Sequence, residues 1–172
     1  MNTTTKTIIG VILVLAAAFS RLIPHPMNFA PITAIALFGG MYFDRRFAPV
    51  LPLVALMLSD AVLGFYDGIL WVYGSFLLVT VMGMIASRKR TVGVIAGSTL
   101  AGSVLFFLIT NFGVWQSGAF YPMTMDGLAM CYTAALPFFR NSLAGDVVYV
   151  TALFGAYAAI ERYIPSAAST RA

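Results

Sequence analysis

Charged residues are scarce in this chain of 172 residues. Only 9% of the residues are charged, while 60% are hydrophobic. A soluble domain usually carries about 25% charged residues, because its surface must be hydrated. This composition excludes an ordinary soluble protein and indicates an integral membrane protein.

Cysteine and histidine are almost absent, with Cys131 and His25 as the single examples. One cysteine excludes an intramolecular disulfide, and the sequence has no His/Cys/carboxylate spacing of a metal site. The glycine-containing stretch 93–99 lacks the lysine of a phosphate-binding loop, and no Gly-x-Ser-x-Gly motif occurs. We therefore predict no enzymatic activity, no ATP hydrolysis, no metal site and no cofactor.

The net charge of +4 does not indicate nucleic-acid binding. The basic run at 88–90 lies between two apolar stretches, where it orients a membrane protein and forms no phosphate-binding stripe. The predicted partners are instead the lipid bilayer and a small-molecule solute.

Turn residues and charges divide the sequence into six apolar blocks. A membrane-spanning helix takes roughly 20 apolar residues. We predict an all-α integral membrane protein, a six-helix bundle forming a single transmembrane domain over 1–172. The first block resembles a secretory signal ending at Ala18, but Arg21 follows closely and we interpret it as a retained helix. The predicted spans are about 5–20, 32–43, 47–63, 69–87, 91–110 and 142–160.

The distribution of positive charge predicts the orientation. Lys and Arg concentrate in cytoplasmic loops. With six spans, one side carries Lys6, Arg45, Arg46, Arg88, Lys89, Arg90, Arg162 and Arg171, and the other carries Arg21 and Arg140. We therefore expect both termini in the cytoplasm, across a bacterial inner membrane.

A long connection is predicted over 111–141, before the last span. Its apolar stretch 127–139 is short for a crossing, so we predict a short helix at the outer face. Asn141 or Ser142 is the expected N-cap of the last span. The free backbone N–H groups at that helix start would suit an anionic group of the solute, with Arg140 as a second anion contact or a counter-ion.

The uncommon polar side chains fall on the predicted outer side. Ionisable groups at membrane depth are costly, so they usually share a cavity or pair with one another. Two alternatives stay open: Arg21 reaches the lipid headgroups, or the aspartates are structural partners of Arg21 and Arg140. The predicted substrate-binding residues are Arg21, His25, Asn28, Asp60, Asn111, Trp115, Arg140, Asn141, Asp146 and Tyr149.

Five phrases of the sequence resemble an uncharacterised family of small bacterial membrane proteins. They are Arg21-Leu-Ile-Pro-His-Pro-Met-Asn-Phe-Ala-Pro-Ile32, Ala34-Ile-Ala-Leu-Phe-Gly-Gly40, Leu58-Ser-Asp-Ala-Val-Leu-Gly-Phe65, Thr110-Asn-Phe-Gly-Val-Trp115 and Leu136-Pro-Phe-Phe-Arg-Asn-Ser-Leu-Ala-Gly-Asp146. That family in turn resembles the substrate-binding S components of energy-coupling-factor (ECF) transporters. This likeness implies six helices, both termini inside, and an outward pocket for a vitamin or metal ion.

We therefore predict a membrane protein that binds a small, vitamin-like solute at an outward-facing pocket for uptake. The likeness also implies docking on an ATPase-driven coupling module through small residues of the first helix. Here Ala16 pairs at i+4 only with Ser20, so the Ala-x-x-x-Ala spacing is not met. Two other classes stay open: a membrane enzyme using Asp60, Asp146 or His25, or a structural subunit that packs through small-residue stripes such as Gly93, Gly97 and Ala101.

Overall fold

The computed structural model describes residues 3–163, which form six α-helices and one 3₁₀ turn. No strand occurs in this range, so the prediction of an all-α protein is confirmed there. The polar tail with Arg171 and Ala172 lies outside the described residues. The helices are α1 (Thr3–Phe19), α2 (Ile32–Tyr42), α3 (Val50–Leu63), α4 (Ile69–Ala86), α5 (Val92–Gln116) and α6 (Met125–Tyr163), with the 3₁₀ turn Ser20–Leu22 continuing α1.

Four helices in the described range are long and apolar enough to cross a membrane: α1 with its 3₁₀ turn, α4, α5 and α6. The other two are shorter than a full crossing. Helix α2 has 11 residues and α3 has 14, against the roughly 20 that a bilayer requires. The spans predicted at 32–43 and 47–63 are therefore apolar helices, but each is too short to cross alone.

Proline marks where these two helices begin. Pro31 precedes the first residue of α2, and Pro49 precedes the first residue of α3. Proline lacks a backbone N–H and suits the start of a helix better than its interior. Helix α3 therefore begins three residues later than the predicted span 47–63, after a turn.

The non-helical segment 23–31, between α1 and α2, packs against α6. A Cβ added to Gly145 would lie 3.2 Å from the backbone of both Phe29 and Ala30, which is closer than most Cβ contacts, so glycine favours this approach. Non-helical backbone at membrane depth is tolerated where it is buried in protein or lines a cavity. The segment 23–31 is therefore buried on one side by α6.

Helix α2 is the centre of the bundle, and every residue from Thr33 to Met41 is buried. It crosses α4 where Gly40 meets Gly83. A Cβ added to Gly40 would lie 2.9 Å from the Gly83 Cα, closer than real Cβ atoms approach. Small residues allow membrane helices to pack this closely.

The first and last helices meet at one end of the bundle. Lys6 of α1 forms an ion pair with Glu161 of α6, at 2.6 Å between Nζ and Oε1. Arg90 lies at the same end, since its guanidinium stands 4.4 Å from the centroid of the Tyr42 ring at the end of α2, and that ring contacts Tyr157. We call this the charged end.

The last two helices extend beyond the predicted spans 91–110 and 142–160. Helix α5 continues to Gln116, and α6 is one helix of 39 residues, about 58 Å long. The predicted separate helix at 127–139 is therefore the first part of α6, and the connection predicted over 111–141 shrinks to 117–124. Pro137 lies inside α6 without ending it, as membrane helices often permit.

Candidate functional site

A cavity of about 480 Å³ lies at the end of the bundle opposite the charged end. Residues of α5, α6, the start of α2 and the segment 23–31 form most of its wall. Its polar or charged lining residues are Arg21, His25, Asn28, Thr33, Tyr66, Ser103, Thr110, Asn111, Ser142 and Asp146. Ligand pockets typically enclose about 300–1,000 Å³, so the cavity has room for a small molecule.

Asp146 is the buried carboxylate of the cavity wall. Its residue is 3% exposed, on the middle part of α6. The Ser103 hydroxyl of α5 donates to Asp146 Oδ2 at 2.5 Å, and the Thr33 hydroxyl of α2 also hydrogen-bonds the carboxylate. Three helices thus fix one acidic group, whose hydrogen-bond partners are neutral.

Arg21 is the cationic group of the wall, and it is already paired. Its Nη2 lies 2.6 Å from Oδ1 of Asp60, which is completely buried on α3. Its Nη1 donates to the Ser59 hydroxyl at 2.5 Å. Tyr73 of α4 donates to the other carboxylate oxygen of Asp60 at 2.9 Å. The positive charge of Arg21 is therefore largely compensated from within the protein.

Tyr66, in the connection between α3 and α4, adds a phenol to the cavity wall. Burial and the nearby Asp60 carboxylate raise the pKa of the Tyr66 phenol to about 12. The phenol therefore stays neutral at physiological pH and is available only as a hydrogen-bonding group.

Aromatic side chains make up much of the remaining wall. Phe106 and Phe107 line it from α5, and Phe138 and Phe139 from α6. The rings of Phe107 and Phe139 have centroids 4.6 Å apart, which joins the two helices across the wall. Such a wall offers both apolar surface and ring faces to a bound solute.

Half of the predicted binding residues line the cavity. These are Arg21, His25, Asn28, Asn111 and Asp146. Asn28 reaches its position in a left-handed backbone conformation with φ of 63°, which asparagine tolerates better than most residues. His25 is exposed, and its Nδ1 lies 3.0 Å from the Pro26 carbonyl oxygen.

The other five predicted residues lie away from the cavity surface. Asp60 stands behind Arg21 as its ion-pair partner. Tyr149 hydrogen-bonds Ser20 and contacts the Phe29 ring, and Asn141 donates to the Met27 carbonyl. The Trp115 indole donates to the Pro122 carbonyl in the connection between α5 and α6, and Arg140 is exposed on α6.

The predicted helix start near Asp146 is wrong, and so is the anion site based on it. Asn141 and Ser142 are not N-caps, since α6 begins at Met125. Ser142 instead donates to the Phe138 carbonyl, one turn back within the helix. No unpaired backbone N–H groups or positive dipole end therefore point into the cavity at Asp146.

Sequence reasoning missed the hydroxyl groups that position the charges: Thr33, Ser59, Tyr73 and Ser103. A hydroxyl in an apolar helix usually bonds back to a carbonyl of the preceding turn, as Thr99 does to Ile95. The sequence alone therefore gives no indication of which hydroxyls also bind a carboxylate.

With the site described, the chain can be compared with known proteins. Residues 1–167 match the model of DUF6580, a family of unknown function. The chain belongs to this family. Among curated proteins and solved structures, no significant match is found. The predicted membership of an uncharacterised family is thus confirmed, and the function of the DUF6580 chain has to be argued from its own residues.

Proposed function

We propose that this protein captures a small solute in the cavity from outside a bacterial cytoplasmic membrane, for uptake into the cell. The cavity carries the proposal: about 480 Å³ of space, lined by one buried carboxylate, one paired guanidinium and aromatic rings. A small number of placed polar groups within an apolar wall is the usual composition of a small-molecule site. The role is the one performed by the S components of ECF transporters.

Six crossings with both termini inside is the topology that we propose for this role. The Lys6–Glu161 ion pair supports it, because it joins the start of the first helix to the end of the last helix. A chain that starts and ends on the same side of the membrane crosses it an even number of times. The basic residues at 88–90 belong to the same charged end, as Arg90 does through Tyr42. Positive charge favours the cytoplasmic side, which supports a cavity on the outer side.

The energy for uptake would have to come from elsewhere. The sequence carries no ATP-binding motif. We propose that a second membrane subunit supplies this energy and drives uptake of the captured solute. That subunit would be an ATPase-driven coupling module or another partner.

The experiment that tests the capture function compares two adjacent alanines of α6. Ala135 lines the cavity, whereas Ala134 is exposed on the outside of the helix. Native mass spectrometry of the purified protein should show a bound small molecule in the wild type and in Ala134→Trp. Ala135→Trp should lose it, because the indole occupies the space of the solute.

Two outcomes would contradict the capture function. One is a wild-type protein that carries no small molecule when it is released directly from native membranes. The other is a small molecule retained equally by both tryptophan variants, which would place its binding site outside the cavity.

A further inference from the structure

We propose that the solute is an organic cation, whose positively charged nitrogen binds the Asp146 carboxylate. This inference rests on the proposed capture function and names its substrate class. It follows from the charges that line the cavity, from the burial of Asp146 and from the aromatic wall.

The charges of the cavity wall do not balance within the described residues. Arg21, His25 and Asp146 are its ionisable lining residues apart from the neutral phenol of Tyr66. Arg21 is neutralised by Asp60 at 2.6 Å between Nη2 and Oδ1, and His25 is exposed to solvent. When Asp146 is ionised, no other ionisable residue of the wall balances its negative charge.

The Asp146 carboxylate has hydroxyl partners but no cationic partner among the described residues. Hydroxyl hydrogen bonds from Ser103 and Thr33 orient it but supply no positive charge. A buried charge without a counter-ion is costly, and a cationic ligand would remove that cost on binding. An anionic ligand would add a second negative charge to the same space.

The aromatic wall favours an organic cation over a metal ion. Ring faces attract ammonium groups and bury the apolar part of the ligand, and four phenylalanines line this cavity. In contrast, the described part of the chain contains no group of three or more His, Cys, Asp or Glu side chains that could hold a metal ion.

Three indole compounds of nearly equal size and different charge provide the test. They are tryptamine, a cation at neutral pH, tryptophol, which is neutral, and indolepropionate, an anion. Isothermal titration of the purified wild type in detergent should show tryptamine binding most tightly. Asp146→Asn should weaken tryptamine by about thirty-fold or more, as expected when one partner of a buried charge pair is removed, and leave tryptophol little changed.

Asp126→Asn is the matched control. Asp126 is exposed in the first turn of α6, so this variant removes the same charge outside the cavity and should bind tryptamine as the wild type does. If Asp146→Asn does not fold, the comparison of the three compounds on the wild type still decides the question. Asp146→Glu, which keeps the charge, should then retain the preference for tryptamine.

The cation proposal and the capture function fail in different ways. Tryptophol or indolepropionate binding the wild type as tightly as tryptamine would overturn the cation proposal and leave capture intact. Unchanged tryptamine affinity in Asp146→Asn would do the same. Where none of the three binds, the occupant found by native mass spectrometry decides: a neutral or anionic molecule overturns the cation proposal, and no occupant overturns both.

Discussion

At the scale of single residues, two carboxylates in one bundle have opposite environments. Asp60 is completely buried, pairs with the Arg21 guanidinium and accepts a hydrogen bond from the Tyr73 phenol. Its negative charge is therefore compensated within the protein. Asp146 receives only hydroxyl groups and faces the cavity. The first carboxylate therefore holds α3 against Arg21, and the second is available to a solute.

The Arg21–Asp60 pair should be essential for stability. Arg21→Met removes the cation and leaves Asp60 fully buried without a counter-ion, which typically costs about 3–5 kcal/mol. Lys6→Met is the control, since the Lys6–Glu161 pair is 44% and 33% exposed and should contribute at most about 1 kcal/mol. Equilibrium unfolding of both variants in detergent gives the comparison. Equal losses in the two variants would show that burial does not govern the Arg21 pair.

Sequence reasoning identified these charged residues but not all of their partners. The cost of charge at membrane depth predicts that Arg21, Asp60 and Asp146 lie within a cavity or pair with other residues. It leaves open whether an aspartate pairs with Arg21 or Arg140, because that depends on how helices distant in sequence pack. The structure pairs Asp60 with Arg21 and leaves Arg140 exposed.

At the scale of helices, some glycines allow two helices to pack closely and others do not contact a neighbouring helix. At Gly40 an added Cβ would meet the backbone of α4, including Met84 N at 2.8 Å, whereas at Gly97 it would meet open space. We predict that Gly40→Ala lowers the melting temperature in detergent clearly, because it forces α2 and α4 apart. Gly97→Ala should leave it unchanged or raise it slightly, since alanine favours a helix by about 1 kcal/mol.

A melting temperature that falls equally in both variants would contradict the close crossing of α2 and α4. It would also indicate that the face of α5 carrying Gly97 packs against another protein. Small-residue stripes of this kind permit close packing with a second membrane subunit.

Helix boundaries were predictable where turn glycines or runs of charged residues mark them, as at the end of α4 and the start of α5. Gly64 ends α3 and Gly68 precedes α4, both in left-handed or related conformations with positive φ, and the predicted boundaries there lie close to the observed ones. The start of α6 was misplaced because Asn141 and Ser142 have the form of a helix N-cap in sequence. In the structure the helix is continuous there, and the Asn141 side chain donates to the Met27 carbonyl oxygen.

At the scale of the whole molecule, the bundle has two unlike ends. The charged end joins α1 to α6 through Lys6 and Glu161 and holds Arg90 against Tyr42. The other end contains the cavity. There the segment 23–31 is not helical, and its residues His25 and Asn28 line the cavity. This asymmetry supports a protein that receives its solute from one side of the membrane.

The proposed capture function requires that the cavity open to the outside of the cell. Thiol labelling of intact cells with a membrane-impermeant reagent tests it most directly, in a Cys131→Ala background. Thr110 lines the cavity on α5, and Leu108, two residues earlier, is exposed on the outside of the same helix. Gly118→Cys and Arg88→Cys serve as the expected outside and inside references.

Thr110→Cys should label in intact cells, and adding Ala135→Trp should block that labelling because the indole fills the cavity. Leu108→Cys should stay unlabelled, since lipid covers it. Labelling of Thr110→Cys only after the cells are permeabilised, together with Arg88→Cys labelling before permeabilisation, would contradict the outward-facing cavity.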